Sequence, residues 1–175
     1  MKNKLLVWTL LLSAGALGYL IHNEHIIILF PETYSLESTS SQSKPSNISL
    51  YTWNQNGTYS KETISLMFTN TKRKNIEQIV KKWLLAQEYQ TIPVTTLKNA
   101  ALSFDEKDLF INFSSYPFNR QASIYAKLSW IQGLFKTIKE YNASIEHVYF
   151  LAQQKTLTDY ELDFSHAWPI EGFLE

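Results

Sequence analysis

The chain has 175 residues, with 16 Lys and Arg balancing 16 Asp and Glu, and it contains no cysteine. That length holds about one domain beside a targeting segment, and the balanced charge supplies none of the concentrated basic surface that nucleic acid requires. The missing cysteine excludes a disulfide framework, a thiolate metal site, a cysteine nucleophile and a lipoprotein lipidation site.

The N-terminus opens with two cations, Lys2 and Lys4, followed by an uncharged run from Leu5 to Ile21. Its apolar residues are Leu5, Leu6, Val7, Trp8, Leu10, Leu11, Leu12, Leu17, Tyr19, Leu20 and Ile21. Seventeen residues lie at the short end of what crosses a bilayer, where roughly 20 are usual. Lysines before the run and Glu24 after it place the N-terminus in the cytoplasm and the rest of the chain outside. Ala14-Gly15-Ala16 resembles a signal-peptide cleavage box, so two expectations stand: an uncleaved signal anchor, which the apolar residues beyond Ala16 favour, or a segment removed near Ala16. Ile26 to Phe30, closed by Pro31, is too short for a second crossing. Pro31 to Ser46 is rich in Ser and Thr and poor in large apolar residues, which predicts a flexible linker.

Beyond the linker, Ile48 to Trp53 reads as a strand of β-branched and aromatic residues. Asn56-Gly57 is a hairpin signal, and a second strand places Ile64, Leu66 and Phe68 in alternation with Ser65 and Met67. Asn70 or Thr71 is expected to cap a helix whose stripe is Ile76, Ile79, Val80, Trp83 and Leu84. Lys72, Arg73, Lys74, Lys81 and Lys82 form the sequence's only basic cluster, a candidate contact for anionic lipid or an acidic partner. After Ile92-Pro93, Ala100–Phe104 and Leu109–Phe113 flank a polar turn of Asp105, Glu106, Lys107 and Asp108, predicting a second hairpin. Asn119 is the expected cap of a long helix ending near Tyr141, with the stripe Ile124, Leu128, Ile131, Leu134, Phe135 and Ile138. Ile145 to Leu151 predicts a fifth strand, and Tyr160 to Phe164 a short last one.

The expected organisation is an anchor and juxtamembrane stretch over 1–30, a linker over 31–46 and one folded unit over 47–175. Its order is ββα-ββαβ, giving an α+β fold: a mostly antiparallel sheet of five to six strands with two helices on one face, preceded by the N-terminal transmembrane helix.

Residues that could carry chemistry are scattered. His22 and His25 are three apart beside the anchor and lack a third metal ligand. His147 is expected to face solvent or an edge, and His166 to pack beside Trp168. Asp105, Glu106 and Asp108 form an acidic turn; Asp159, Glu161 and Asp163 would alternate onto one strand face without a second element to aim them. Glycine-rich phosphate loops, nucleophile elbows and zinc-protease or calcium-loop motifs are missing. Asn47, Asn56, Asn112 and Asn142 begin Asn-x-Ser/Thr sequons, which matter only in a glycosylating pathway. No catalytic residue, cofactor or metal is therefore assigned, and no small-molecule substrate is expected.

Several phrases, in order, resemble the GerMN domain of bacterial sporulation and germination proteins. They are Leu50-Tyr51-Thr52-Trp53, Trp83-Leu84-Leu85, Thr91-Ile92-Pro93-Val94-Thr95 and Ile111-Asn112-Phe113-Ser114, then Thr137 followed by Val148-Tyr149-Phe150, and finally Leu162-Asp163-Phe164-Ser165. Gln87-Glu88 stands where the family has Gly-Pro, and Gln153-Gln154-Lys155 where it has an Asp-Gly-Lys-like turn. The resemblance implies a non-enzymatic domain tethered outside the membrane that packs beside neighbours in envelope assemblies, with an envelope protein or a second copy as partner. The alternatives from the residues alone are an exported enzyme or small-ligand binder, and a lipid-binding domain using the lysine-rich helix.

Overall fold

The structure, a computed structural model, describes residues 43–54, 57–88, 95–142 and 144–172. The expected anchor, His22 and His25, most of the linker, Asn56 and the Ile92-Pro93 step lie outside them. Among the described residues no helix is long and apolar enough to cross a membrane.

The elements are β1 (Lys44–Trp53), β2 (Tyr59–Phe68), α1 (Lys72–Glu88), β3 (Leu97–Leu102), β4 (Asp108–Phe113), α2 (Ile124–Tyr141), β5 (His147–Ala152), β6 (Lys155–Thr156) and β7 (Trp168–Pro169). The order ββα-ββαβ is as the periodicities predict, and the fold is α+β. The single sheet is not. β1 and β2 form a sheet of their own, while β3, β4, β5 and β6 line up in a second with β7 on β5. The pairing is also mixed, because β4 and β5 run parallel. The cause is the connection between them: α2 carries the chain back to the end where β4 began, which a tight hairpin does not do.

Boundaries shift for local reasons. β1 starts at Lys44, inside the expected linker, because the hairpin register continues to Lys44↔Phe68. Thr71 does open α1, its carbonyl accepting the N–H of Asn75. Asn75 then locks the β2–α1 connection, its amide bonding both backbone groups of Thr69 and the Tyr141 hydroxyl. Asn119 does not cap α2. It closes a turn ahead of it, through Gln121 and Ala122, and Ser123 is the cap, its hydroxyl accepting from Ala126 at 3.3 Å. Ile124 is accordingly on the first exposed turn, 44% exposed, rather than in the buried stripe. Residues 160–164 form no strand.

The core is aromatic. Trp83 of α1 meets Trp130 of α2, with ring centroids 4.5 Å apart. Trp130 touches Phe118, Phe118 stacks on Phe164, and Phe164 packs on Phe150 and Trp168. Phe164, Leu157 and Ile170 are buried, so the irregular C-terminal segment is held by the apolar burial of single side chains spaced along it.

Three sheet edges are covered. On β1, the Tyr51 N–H donates to Thr137 Oγ1 and its carbonyl accepts from Trp83 Nε1. On β3, the Ala100 N–H donates to Glu77 Oε1 of α1. The β5 side is met by the two-residue strands β6 and β7. The outer edge of β2 has no such cover among the described residues.

Candidate functional site

Among the described residues, several ionisable side chains converge on a buried charge at the clasp between α2 and the segment 156–165. Lys127 stands in the first turn of α2, in phase with Ile131 and Leu134, so the helix that buries those residues buries it too; it is only 3% exposed. A buried ammonium is costly unless paired. Its Nζ lies 2.9 and 3.2 Å from the two carboxylate oxygens of Asp159 and 2.7 Å from Glu161 Oε2. The Tyr116 hydroxyl also donates to Asp159 Oδ2. Asp159 Oδ1 additionally accepts the N–H groups of Glu161 and Leu162, at 2.8 and 3.1 Å. One carboxylate thus shapes the loop and binds it to the helix. Beside the clasp the same loop, from Thr156 to Ser165, lines an open hollow of about 360 Å³.

Chemically this arrangement neutralises rather than activates. The Lys127 ammonium spends its donors on two carboxylates, which makes it a structural tie between helix and loop. Glu161 is the wetter partner, its side chain 41% exposed against 4% for Asp159. Asp163, expected on the same face, turns away. Its carboxyl sits below the ordinary aspartate range because the Ser165 hydroxyl and N–H bond it.

The acidic turn is a built tip. Asp105 accepts from the Ser103 hydroxyl at 2.6 Å and from the Lys107 N–H, which together hold its carboxyl below the usual range. Ser103 and Asp108 close the loop with a 2.9 Å backbone bond and a second one from the Asp108 N–H to Ser103 Oγ. Glu106, at φ 61, pairs with Lys72; Lys107 pairs with Glu146; His147 Nδ1 lies 3.1 Å from Asp108. At the apex of this cross-braced turn Phe104 is 106% exposed. Among the described residues no group of three His, Asp or Glu side chains is placed to hold a metal ion.

The five basic residues are spread around α1. A helix turns about 100° per residue, which aligns Lys74 with Lys81 and sets Lys82 beside them. Lys72 lies on the far side, tied to Glu106, and Arg73 is half-buried between. Lys81 and Lys82 are exposed and share their face with Leu85, which is 48% exposed. His147 is exposed as expected, whereas His166 is exposed and Trp168 packs instead on Phe164. Of the sequons, Asn112 is buried, bonded to Asn99 and to the Gln154 N–H. Sequence reasoning passed over Lys127 and Phe104. The signal for Lys127 was available, since an ionisable residue in the phase of an apolar stripe calls for a buried partner.

No family model matches the chain, and no curated protein matches it. Among solved structures it is similar to the first GerMN domain of the sporulation protein GerM from Bacillus subtilis, at 17% identity over 71% of this chain and 92% of that one, with a TM-score of 0.47. A protein described as a lipoprotein from Clostridium perfringens is similar at 16% identity over 77% of this chain and 93% of that one, TM-score 0.43. The tandem GerMN domains of the same Bacillus subtilis protein are similar at 16% identity over 75% of this chain and 46% of that one, TM-score 0.45.

Proposed function

We propose that this chain is a non-enzymatic, membrane-tethered domain of the cell envelope that binds another protein on the outer side of the cytoplasmic membrane. The observation that carries the reading is Phe104. A fully exposed phenylalanine held on a turn braced by Ser103, Asp105, Lys72 and Glu146 loses little conformational freedom on binding, which is the property of an interface anchor. Glu106 supports this. It occupies a positive φ that glycine would take without strain, and its carboxylate is what ties the tip to α1. The uncharged run at Leu5–Ile21, the Ser-rich stretch after it and the phrase-by-phrase resemblance to GerMN domains support a tether and an outer location.

A second reading, an exported ligand binder, draws on the hollow beside Lys127, Asp159 and Glu161. It is weaker, because the Lys127 protons are already taken by two carboxylates. A lipid-binding reading keeps Lys81 and Lys82, exposed together on α1, while Lys72 is tied to Glu106.

The test uses the full chain in its membrane, with a photoreactive phenylalanine analogue at position 104. Capture of one defined envelope protein, or of the chain itself, at yields well above those from an exposed control position such as Tyr160, is the expected result. Equal, diffuse labelling at both positions overturns it. Mass-spectrometric sequencing of the mature N-terminus reads the anchor directly: an intact Met1–Ile21 supports the tether, and a start after Ala16 removes it.

A further inference from the structure

We propose that the outer edge of β2 pairs with the same edge of a second copy of this chain, antiparallel and about a two-fold axis at Ser65. The proposal deepens the assembly reading above and rests on it. Tyr51 sends its N–H and carbonyl away from β2, to Thr137 and Trp83. Its partner Lys61 must therefore send its own backbone groups away from β1, and so must every second residue along the ten-pair register: Tyr59, Thr63, Ser65 and Met67. Pro45, opposite Met67, fits the same assignment, since its missing N–H costs the ladder nothing.

Natural edge strands are blunted by brevity, bulges, proline, charge or a covering element. β2 is ten residues long, has an unbroken register, contains neither Gly nor Pro, and is uncovered among the described residues. Its charges, Lys61 and Glu62, sit toward the turn. The remaining half, Thr63-Ile64-Ser65-Leu66-Met67-Phe68, is six uncharged residues of the composition that favours intermolecular strand pairing. Even-numbered Ile64, Leu66 and Phe68 face inward, while Ser65 and Met67 are exposed.

The occupant follows from this charge pattern. With the axis at Ser65, Thr63 of each copy lies opposite Met67 of the other, so that about six backbone hydrogen bonds form across the axis. Lys61 and Glu62 then fall opposite uncharged residues 69 and 68, and no like charges are brought face to face. An isologous contact uses one patch twice and needs no second complementary surface. So short a seam is weak in dilute solution, and gains from copies held in one membrane.

The chain has no cysteine, so the test is a single Ser65→Cys substitution in the full-length protein in lipid vesicles, oxidised and resolved without reductant. Disulfide-linked dimer several-fold above that of a Lys98→Cys control on β3 is expected. Adding Thr63→Pro, which removes an outward N–H without touching the β1–β2 ladder, is expected to abolish it. If that variant fails to fold by circular dichroism, Met67→Lys in its place is expected to reduce dimer to the control level. Equal cross-linking at Ser65 and Lys98, or dimer that survives the second substitution in a folded chain, overturns the edge assignment. Monomer with a different protein captured at position 104 overturns it too, while the interaction reading stands. A chain that neither dimerises nor captures a partner overturns both.

Discussion

Gly133 of α2 lies against the carbonyl oxygen of Tyr51 in β1 so closely that a Cβ at position 133 would stand 2.7 Å from it. The contact is the seat of the β1 edge. One turn on, Thr137 Oγ1 donates to the Gly133 carbonyl at 2.9 Å and accepts the Tyr51 N–H at 3.0 Å. Alanine is the better helix former by about 1 kcal/mol, so helix propensity alone predicts that Gly133→Ala stabilises. The clash decides otherwise: the Tyr51 carbonyl accepts from Trp83 Nε1 at 2.7 Å, so moving it away from position 133 strains that bond. We expect Gly133→Ala to cost about 1–3 kcal/mol net, the range for overpacking, measured by urea unfolding. A neutral or stabilised variant would show that the two elements slide freely.

The Lys127 clasp gives a prediction with an internal control. Lys127→Met leaves Asp159 buried without its cation and is expected to cost about 3–5 kcal/mol. Asp159→Asn added to Lys127→Met removes the stranded charge while keeping an oxygen for the Glu161 and Leu162 N–H groups. We expect the double variant to recover more than half of the loss, read as a double-mutant cycle. Limited proteolysis within 156–165 is expected to follow the same order: slow in the parent, fast in Lys127→Met, intermediate in the double variant. Additive losses would mean that the pair does not act as a unit.

These two contacts also mark how far the sequence was legible. Strand alternation in Ile64–Phe68 and the stripe Ile76, Ile79, Val80, Trp83 depend only on residues close in the chain, and the structure buries them accordingly. Of the GerMN-like phrases, Leu50–Trp53, Trp83–Leu85, Ile111–Phe113 and Val148–Phe150 fall on β1, α1, β4 and β5, whereas Leu162–Ser165 is irregular and residues 91–94 lie outside the described ones. Which strands share a sheet depends on where α2 delivers the chain, and no local pattern encodes that. The start of α2 falls four residues after Asn119 because Asn119 and Ser123 are both good caps, and tertiary packing chooses between them, while its end at Tyr141 is where the pattern puts it. In the sequence Asp159 and Glu161 alternate as on one strand face, since the residue that gathers them, Lys127, lies more than thirty positions away. An exposed Phe104 leaves no periodic trace at all.

The turn between β5 and β6 carries an avoidable cost. Gln153 and Gln154 both have positive φ, 53° and 68°, in a two-residue hairpin with Ala152↔Lys155 as its closing pair. That geometry favours Asn-Gly or Gly at these positions, and a side chain there costs roughly 1–2 kcal/mol per residue before unfolded-state entropy is counted. The backbone bond from Gln154 to Asn112 Oδ1 survives a change of side chain. Gln154→Gly is therefore expected to stabilise by about 0.5–1 kcal/mol, raising Tm by about 3 °C in a unit of this size. A lowered Tm would imply that the Gln154 side chain makes contacts worth more than the strain it imposes.

Tyr59 supplies a pH dependence whose sign is fixed by its surroundings. Its hydroxyl donates to the Ser129 carbonyl at 3.1 Å. Burial first, and the nearby Tyr125 second, push its pKa from 10.0 up to about 12. Raising the pKa of an acid means that the folded state favours the neutral phenol more than the unfolded chain does. The contribution is fully present below pH 10 and is lost as pH rises through 12. Tyr59→Phe keeps the ring between Trp53 and Lys136 but cannot ionise, so it should lose about 1 kcal/mol at pH 8, the worth of the hydrogen bond. As pH climbs from 10 to 12 the parent loses this advantage, and the two urea-unfolding free energies should converge. Parallel curves across that interval would show that Tyr59 titrates alike in the folded and unfolded chain.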